Sequence, residues 1–191
     1  MRSVPAPSGP TWANATSFED LLALGRRFLL GEIERFPGWG GRGLDDESEP
    51  LLEALLGVNA RGMLTVASQP GLPFEPGHDG REWAGRAFIG GFASERAAAE
   101  LAAASTPAGL MVLVEDGTDD GPALDLPVGL RDGTPYLVLS SGARAKELEI
   151  FRDEASPGTE RVLAPLPFLW VVDPVWGRRD RLTPTLAATR P

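Results

Sequence analysis

Residues 49–71 read EPLLEALLGVNARGMLTVASQPG, and this stretch decides the fold. Leu51, Leu52, Leu55 and Val58 recur at the spacing of one buried helical stripe. Ser48 stands where an N-cap belongs and Pro50 suits a first turn, so a helix is predicted from about Glu49 to Asn59. Gly62 is placed to end it. Met63-Leu64-Thr65-Val66-Ala67 follows as a short strand, which Ser68-Gln69-Pro70-Gly71 breaks.

The same alternation continues outward. Thr16-x-x-Glu19 and Ser17-x-x-Asp20 both offer a capping box for a first helix, the former the better match. Its apolar face is Phe18, Leu21, Leu22, Phe28, Leu29 and Ile33, and Pro37 with the glycines after it ends it. Leu72 to Glu82 reads as a Pro/Gly-rich loop, Arg86 to Phe92 as a strand, and Ser94 as the cap of an Ala-rich helix reaching about Ala104. Leu110–Glu115, Pro135–Ser140 and Phe168–Val172 are further strands, Asp116–Pro122 an acidic loop and Ala143–Phe151 a short helix. Strands alternating with helices predict a single α/β domain over residues 16–183, with a disordered lead-in at 1–15 and a loose tail at 184–191. The expected core holds Leu51, Leu55, Leu64, Val66, Phe88, Phe92, Leu110, Val112, Leu137, Val138 and Val171.

Composition narrows the chemistry. The 191 residues carry a formal net charge of -9, which opposes binding to nucleic acid or to anionic lipid. There is no cysteine, so disulfides, thiolate metal sites and a thiol nucleophile are excluded. No apolar run approaches the ~18 residues of a membrane span, and the Pro/Ser-rich start lacks the apolar core of a signal peptide. A cytoplasmic protein is expected. Lys146 is the one lysine among the 18 basic residues, a bias that fits a high-GC bacterial genome.

Familiar catalytic signatures are missing. Neither phosphate-cradling glycine motif follows a strand, and the glycine-rich 38–43 segment leads into polar residues. The single histidine, His78, falls in the loop Pro76-Gly77-His78-Asp79-Gly80. Asp45, Asp46, Glu47 and Glu49 suit the approach to a positive helix end, and no converging ligands suggest a metal.

Three segments carry a resemblance. Glu47-Ser48 precedes Leu51-Leu52-x-x-Leu55-Leu56-x-Val58-Asn59-x-x-Gly62, and then Leu64-Thr65-Val66-x-Ser68-Gln69-Pro70. Arg86-Ala87-Phe88-x-x-x-Phe92 precedes an Ala/Glu-rich helix, and Val171-Val172-Asp173-Pro174 comes late. In order and approximate spacing these resemble the S-adenosylmethionine-binding regulatory domain of methylenetetrahydrofolate reductase, over roughly Ser17 to Pro174. The chain is also similar to small proteins of high-GC bacteria from which no activity carries over. The resemblance implies a mixed β-sheet core with flanking helices, S-adenosylmethionine or S-adenosylhomocysteine as ligand, and a homodimer, to which Trp12, Trp39 and Trp176 are candidate contributors. The reductase barrel is lacking, so neither flavin nor folate chemistry is implied.

Carried over by position, the resemblance implies ligand contacts from Glu47, Ser48, Thr65 and Ser68, a later one from Ser140, and Trp170 in place of a threonine, filling the pocket or stacking on the adenine. Read without it, Ser48 is an N-cap, Thr65 a β-branched strand residue, Ser68 and Gln69 turn residues, Glu47 a surface carboxylate and Asp173-Pro174 a strand-ending turn. A sensor-type binding module is the first expectation. An enzyme cleaving or rearranging S-adenosylmethionine, or acting on another biosynthetic metabolite, is the alternative, with Glu47 and Asp173 as its acid/base candidates. A protein-interaction or inhibitor module is the third.

Overall fold

The computed structural model describes residues 10–41, 43–117 and 125–188. Helix α1 (Phe18–Leu29) leads through a 3-10 turn (Glu49–Leu51) into α2 (Leu52–Ala60). Strands β1 (Met63–Gln69), β2 (Leu72–Pro76), β3 (Glu82–Gly85) and β4 (Phe88–Ala93) follow. Then come α3 (Glu95–Ser105), β5 (Met111–Glu115), β6 (Asp125–Arg131), β7 (Thr134–Ser140), α4 (Ala143–Glu154), α5 (Pro157–Leu163), β8 (Phe168–Val172) and α6 (Leu182–Ala188).

The chain is α/β, and its strands form two four-stranded sheets in the orders β1-β4-β8-β5 and β2-β3-β6-β7. Every described strand pair is antiparallel, and the β-sheet core that the resemblance implied takes the form of these two sheets. β4 and β8 lie centrally in the first sheet and are buried on both faces, which is why they read as unbroken apolar runs. One face packs Phe88, Phe92, Phe168, Trp170 and Val172 with Leu21, Leu24 and Phe28 of α1 and Phe151 of α4. The other packs Ile89, Leu169 and Val171 with α2, α3 and α6. Of the expected core, Val138 is exposed at 39%, on the outer strand of the second sheet.

Several local expectations change. The capping box of α1 is Ser17 with Asp20, because the Asp20 carboxylate accepts from the backbone N–H groups of both Thr16 and Ser17. α1 stops at Leu29, and Gly31 at φ +71° turns the chain away before Ile33. The supposed loop 72–82 contains β2 and the start of β3. β2 is an edge strand, where its prolines leave no ladder bond unmade. β6 and α5 were not foreseen, and part of the acidic loop, residues 118–124, lies outside the described residues. α6 begins at Leu182 and runs into the supposed tail, burying Leu182 and Leu186.

Of the supposed lead-in, residues 1–9 lie outside the described residues, but Ala15 is buried. Trp12 packs edge-on to Phe36, with its indole N–H on the Arg35 carbonyl. Trp176 stacks under the Arg86 guanidinium, and Trp39 is 43% exposed. No helix among the described residues is long and apolar enough to cross a membrane.

Candidate functional site

A cavity of about 230 Å³ lies along β1, at the edge of the first sheet. Gly25, Phe28 and Leu29 of α1, Leu55 and Asn59 of α2, Phe36, Trp39, Leu44 and Asp45 of the loop between these helices, and residues 64–68 of β1 line it. Sequence builds it in three ways. A Cβ on Gly25 would come within 2.7 Å of Leu64 Cδ1, so glycine allows α1 to settle close to the strand. Asn59 ties α2 to α1 by donating Nδ2–H to the Leu22 carbonyl at 3.1 Å. The β1–β4 register shifts between Thr65 and Ala67, a bulge that breaks the in-out alternation and lets five successive residues share one cavity.

The structure brings together three of the candidate residues and separates the others. Ser68 donates its hydroxyl to Ser48 Oγ at 3.2 Å, so the helix approach and the strand end meet. Ser48 is buried and makes no side-chain cap bond. Its N–H donates to Asp45 Oδ1 at 2.6 Å instead, which fixes the loop carrying Asp45. Thr65 lies in the chamber wall. Its Oγ1 is closed off from solvent and has no hydrogen-bond partner among the described residues. A buried hydroxyl without a partner is a stored penalty that a bound group can relieve.

Glu47 is exposed and faces a neighbouring cleft rather than the chamber. Ser140 ends β7 in the second sheet, exposed and paired with Asp125, and does not line the chamber. Trp170 does not close it either. The indole packs against Phe88 and Phe168 over Gly90, where a Cβ would collide with it. Its position two strands in from β1 follows from the sheet order, which one sequence does not reveal. Asp173 is fully buried and held by Arg178 through two bonds, so it acts as a structural anchor. Glu47 and Asp173 share neither cavity, and the acid/base pair of the enzyme alternative is not assembled.

The neighbouring cleft, of about 800 Å³, begins one residue further along both walls. Asp45 and Ser68 line the chamber; Asp46 and Gln69 line the cleft. Trp83 and Tyr136 meet there edge to face, with centroids 4.9 Å apart. Burial and then the charge of Glu47 push the Tyr136 phenol above its ordinary pKa. The indole N–H of Trp83 holds the Asp79 carboxyl below the usual range, aided by the Arg81 backbone N–H.

The sequence reading missed Phe36, Trp39, Leu44 and Asn59 as chamber residues. Asn59 stood in the quoted Asn-x-x-Gly motif, and Asp45 in the acidic run. The aromatic roof carried no pattern linking it to β1. Among the described residues, no cluster of three or more His, Asp or Glu is arranged to hold a metal.

No curated protein matches the sequence. A family described as a domain of unknown function, DUF6919, matches residues 8–189, and the chain belongs to that family.

Proposed function

We propose that the protein is a small-molecule binding module that takes an adenosyl compound, S-adenosylmethionine or S-adenosylhomocysteine, into the chamber beside β1. The observation that carries this reading is the unpartnered Thr65 hydroxyl in the wall of an apolar cavity. Ligand sites are mostly apolar with a few placed polar groups, and this lining has that composition. Phe28, Phe36, Leu44 and Leu55 supply the apolar slot for a base; Thr65, Ser68 and Asp45 supply hydrogen-bonding groups for the base edge and ribose. About 230 Å³ is below the ~300–1,000 Å³ of typical ligand pockets, so the nucleoside part would enter and the amino-acid tail would remain at the mouth. One carboxylate, Asp45, is the only ionisable group in the described lining, which favours binding over acid–base turnover.

The test is a thermal-shift titration with S-adenosylmethionine, S-adenosylhomocysteine and adenosine. At a hundredfold over the dissociation constant, the ligand is expected to stabilise the fold by ~2.7 kcal/mol. Thr65→Val is expected to weaken that binding by ~1–3 kcal/mol, through the ligand group left unpaired. No shift with any of the three at millimolar ligand overturns the reading.

A further inference from the structure

The cleft beside the chamber has a chemistry of its own. Asp46, Glu47, Glu75 and Asp79 line it with His78 and one described guanidinium, Arg179, whose Nε–H is already given to the Gly71 carbonyl at 2.6 Å; Asp79 also faces Arg81 at 3.9 Å. Two aromatic rings form a corner in its wall. Trp83 is fixed by its N–H bond of 3.0 Å to Asp79 Oδ1. Tyr136 stands at 81° to it and is 45% exposed. Gly129 lies under the Tyr136 ring, where a Cβ would come within 2.6 Å of Cε1, so the phenol has a fixed seat. The Arg131 guanidinium sits over Trp83 at 5.6 Å, which shows the indole already serving as a cation acceptor and leaves Tyr136 as the open ring.

We propose that this cleft binds a small organic cation of the alkylammonium class, with the ammonium on the open Tyr136 ring beside Trp83 and its charge balanced by Glu47 and Glu75. Two physical terms act together. Aromatic faces attract a cation through the ring quadrupole, and the weak hydration of a methylated ammonium makes its transfer to such a corner cheap. Carboxylates along low-dielectric walls raise the local concentration of cations. Glu47 and Tyr136 line the same cleft, so charge and ring share one cavity. A small metal ion would not use the rings, and an anion would meet four carboxylates. The inference does not depend on what the chamber holds, because the two cavities have separate linings.

The experiment follows the Trp83 indole N–H resonance, assigned with Trp83→Phe, during titration with choline and with its neutral isostere 3,3-dimethyl-1-butanol. Choline is expected to move it saturably and the isostere to bind at least about fivefold more weakly. Glu47→Gln and Tyr136→Leu, both at exposed positions, are each expected to weaken choline binding by about threefold or more, with circular dichroism showing the fold intact. Thr65→Val is expected to leave choline binding unchanged, which separates this site from the chamber. Equal binding of choline and the isostere, no saturable shift up to about 50 mM choline, or an unchanged affinity in both Glu47→Gln and Tyr136→Leu would overturn the proposal.

Discussion

Arg178 clamps the fully buried Asp173 with two bonds, Nε to Oδ2 at 2.6 Å and Nη2 to Oδ1 at 2.7 Å. Asp173 Oδ1 also accepts from Val175 N–H, while the Asp173 N–H donates to the Ala87 carbonyl. The clamp fixes the chain where β8 ends, beside the start of β4. Asymmetric burial sets the prediction. Arg178→Met leaves a carboxylate in the interior with its main counter-charge removed, and is expected to destabilise the fold by about 3–5 kcal/mol. Asp173→Asn leaves a guanidinium whose side chain is 26% exposed and can hydrate, and is expected to cost less. Urea unfolding of the two variants checks the order; an Asp173→Asn variant less stable than Arg178→Met contradicts it.

Thr65→Val has a second consequence, in the absence of ligand. The Thr65 hydroxyl is buried and unpartnered, while its shape is that of valine. Replacing it removes a desolvation penalty without opening a void, so the ligand-free variant is expected to be as stable as wild type or more stable, by up to about 1 kcal/mol. Calorimetric melting measures this directly. A loss above about 1 kcal/mol would mean that the hydroxyl is satisfied in solution.

The helix–strand unit at residues 49–71 was legible because its signals are local: an apolar stripe, a Pro in the first turn and a terminating Gly62 at φ +96°. Ser48 and Ser68 entered through the resemblance, and the structure joins their hydroxyls. Trp170 and Ser140 were misplaced for the opposite reason. Which strand neighbours which is a long-range property, and β8 inserts between β4 and β5 while β7 joins another sheet. β2 and β6 were hidden by Pro73, Pro76, Pro127 and Gly129, residues depleted in strands yet tolerated at edges and bulges. α6 was hidden by its length. Seven residues give too few turns for a period, and its placement rests on burying Leu182 and Leu186 against α2 and α3.

Glu147 on α4 supplies a pH dependence. Burial lifts its carboxyl above the ordinary range, with Lys146 opposing. The folded chain therefore holds this proton more tightly than the unfolded chain does, and stability falls as pH rises from the unfolded value of 4.5 through the raised folded one. Below that window the group is protonated in both states and carries no penalty; above it the penalty is full. Glu147→Gln is expected to melt at a higher temperature than wild type at pH 7, with the difference disappearing below about pH 4. Identical melting profiles across pH would show that Glu147 is hydrated in the fold.

Gly90 and Gly91, adjacent in β4, are expected to respond differently to the same substitution. A Cβ on Gly90 would collide with the ring of Trp170, a side chain that can move. A Cβ on Gly91 would collide with the Leu64 carbonyl and come within 2.8 Å of Thr65 Cα, which is backbone of the paired strand β1 and cannot yield without opening the ladder. Gly90→Ala is therefore expected to cost about 1–3 kcal/mol, and Gly91→Ala more. Adding Trp170→Leu should recover part of the loss for Gly90→Ala and none for Gly91→Ala, a coupling that a double-mutant cycle reads directly. Because Gly91 stands opposite Thr65, displacing β1 there also moves the chamber wall. Gly91→Ala, at a temperature where it stays folded, is expected to lose more affinity for an adenosyl ligand than Gly90→Ala does. Equal losses of stability in the two variants would show that β1 adjusts freely along its edge, and that the strand does not rigidly set the chamber.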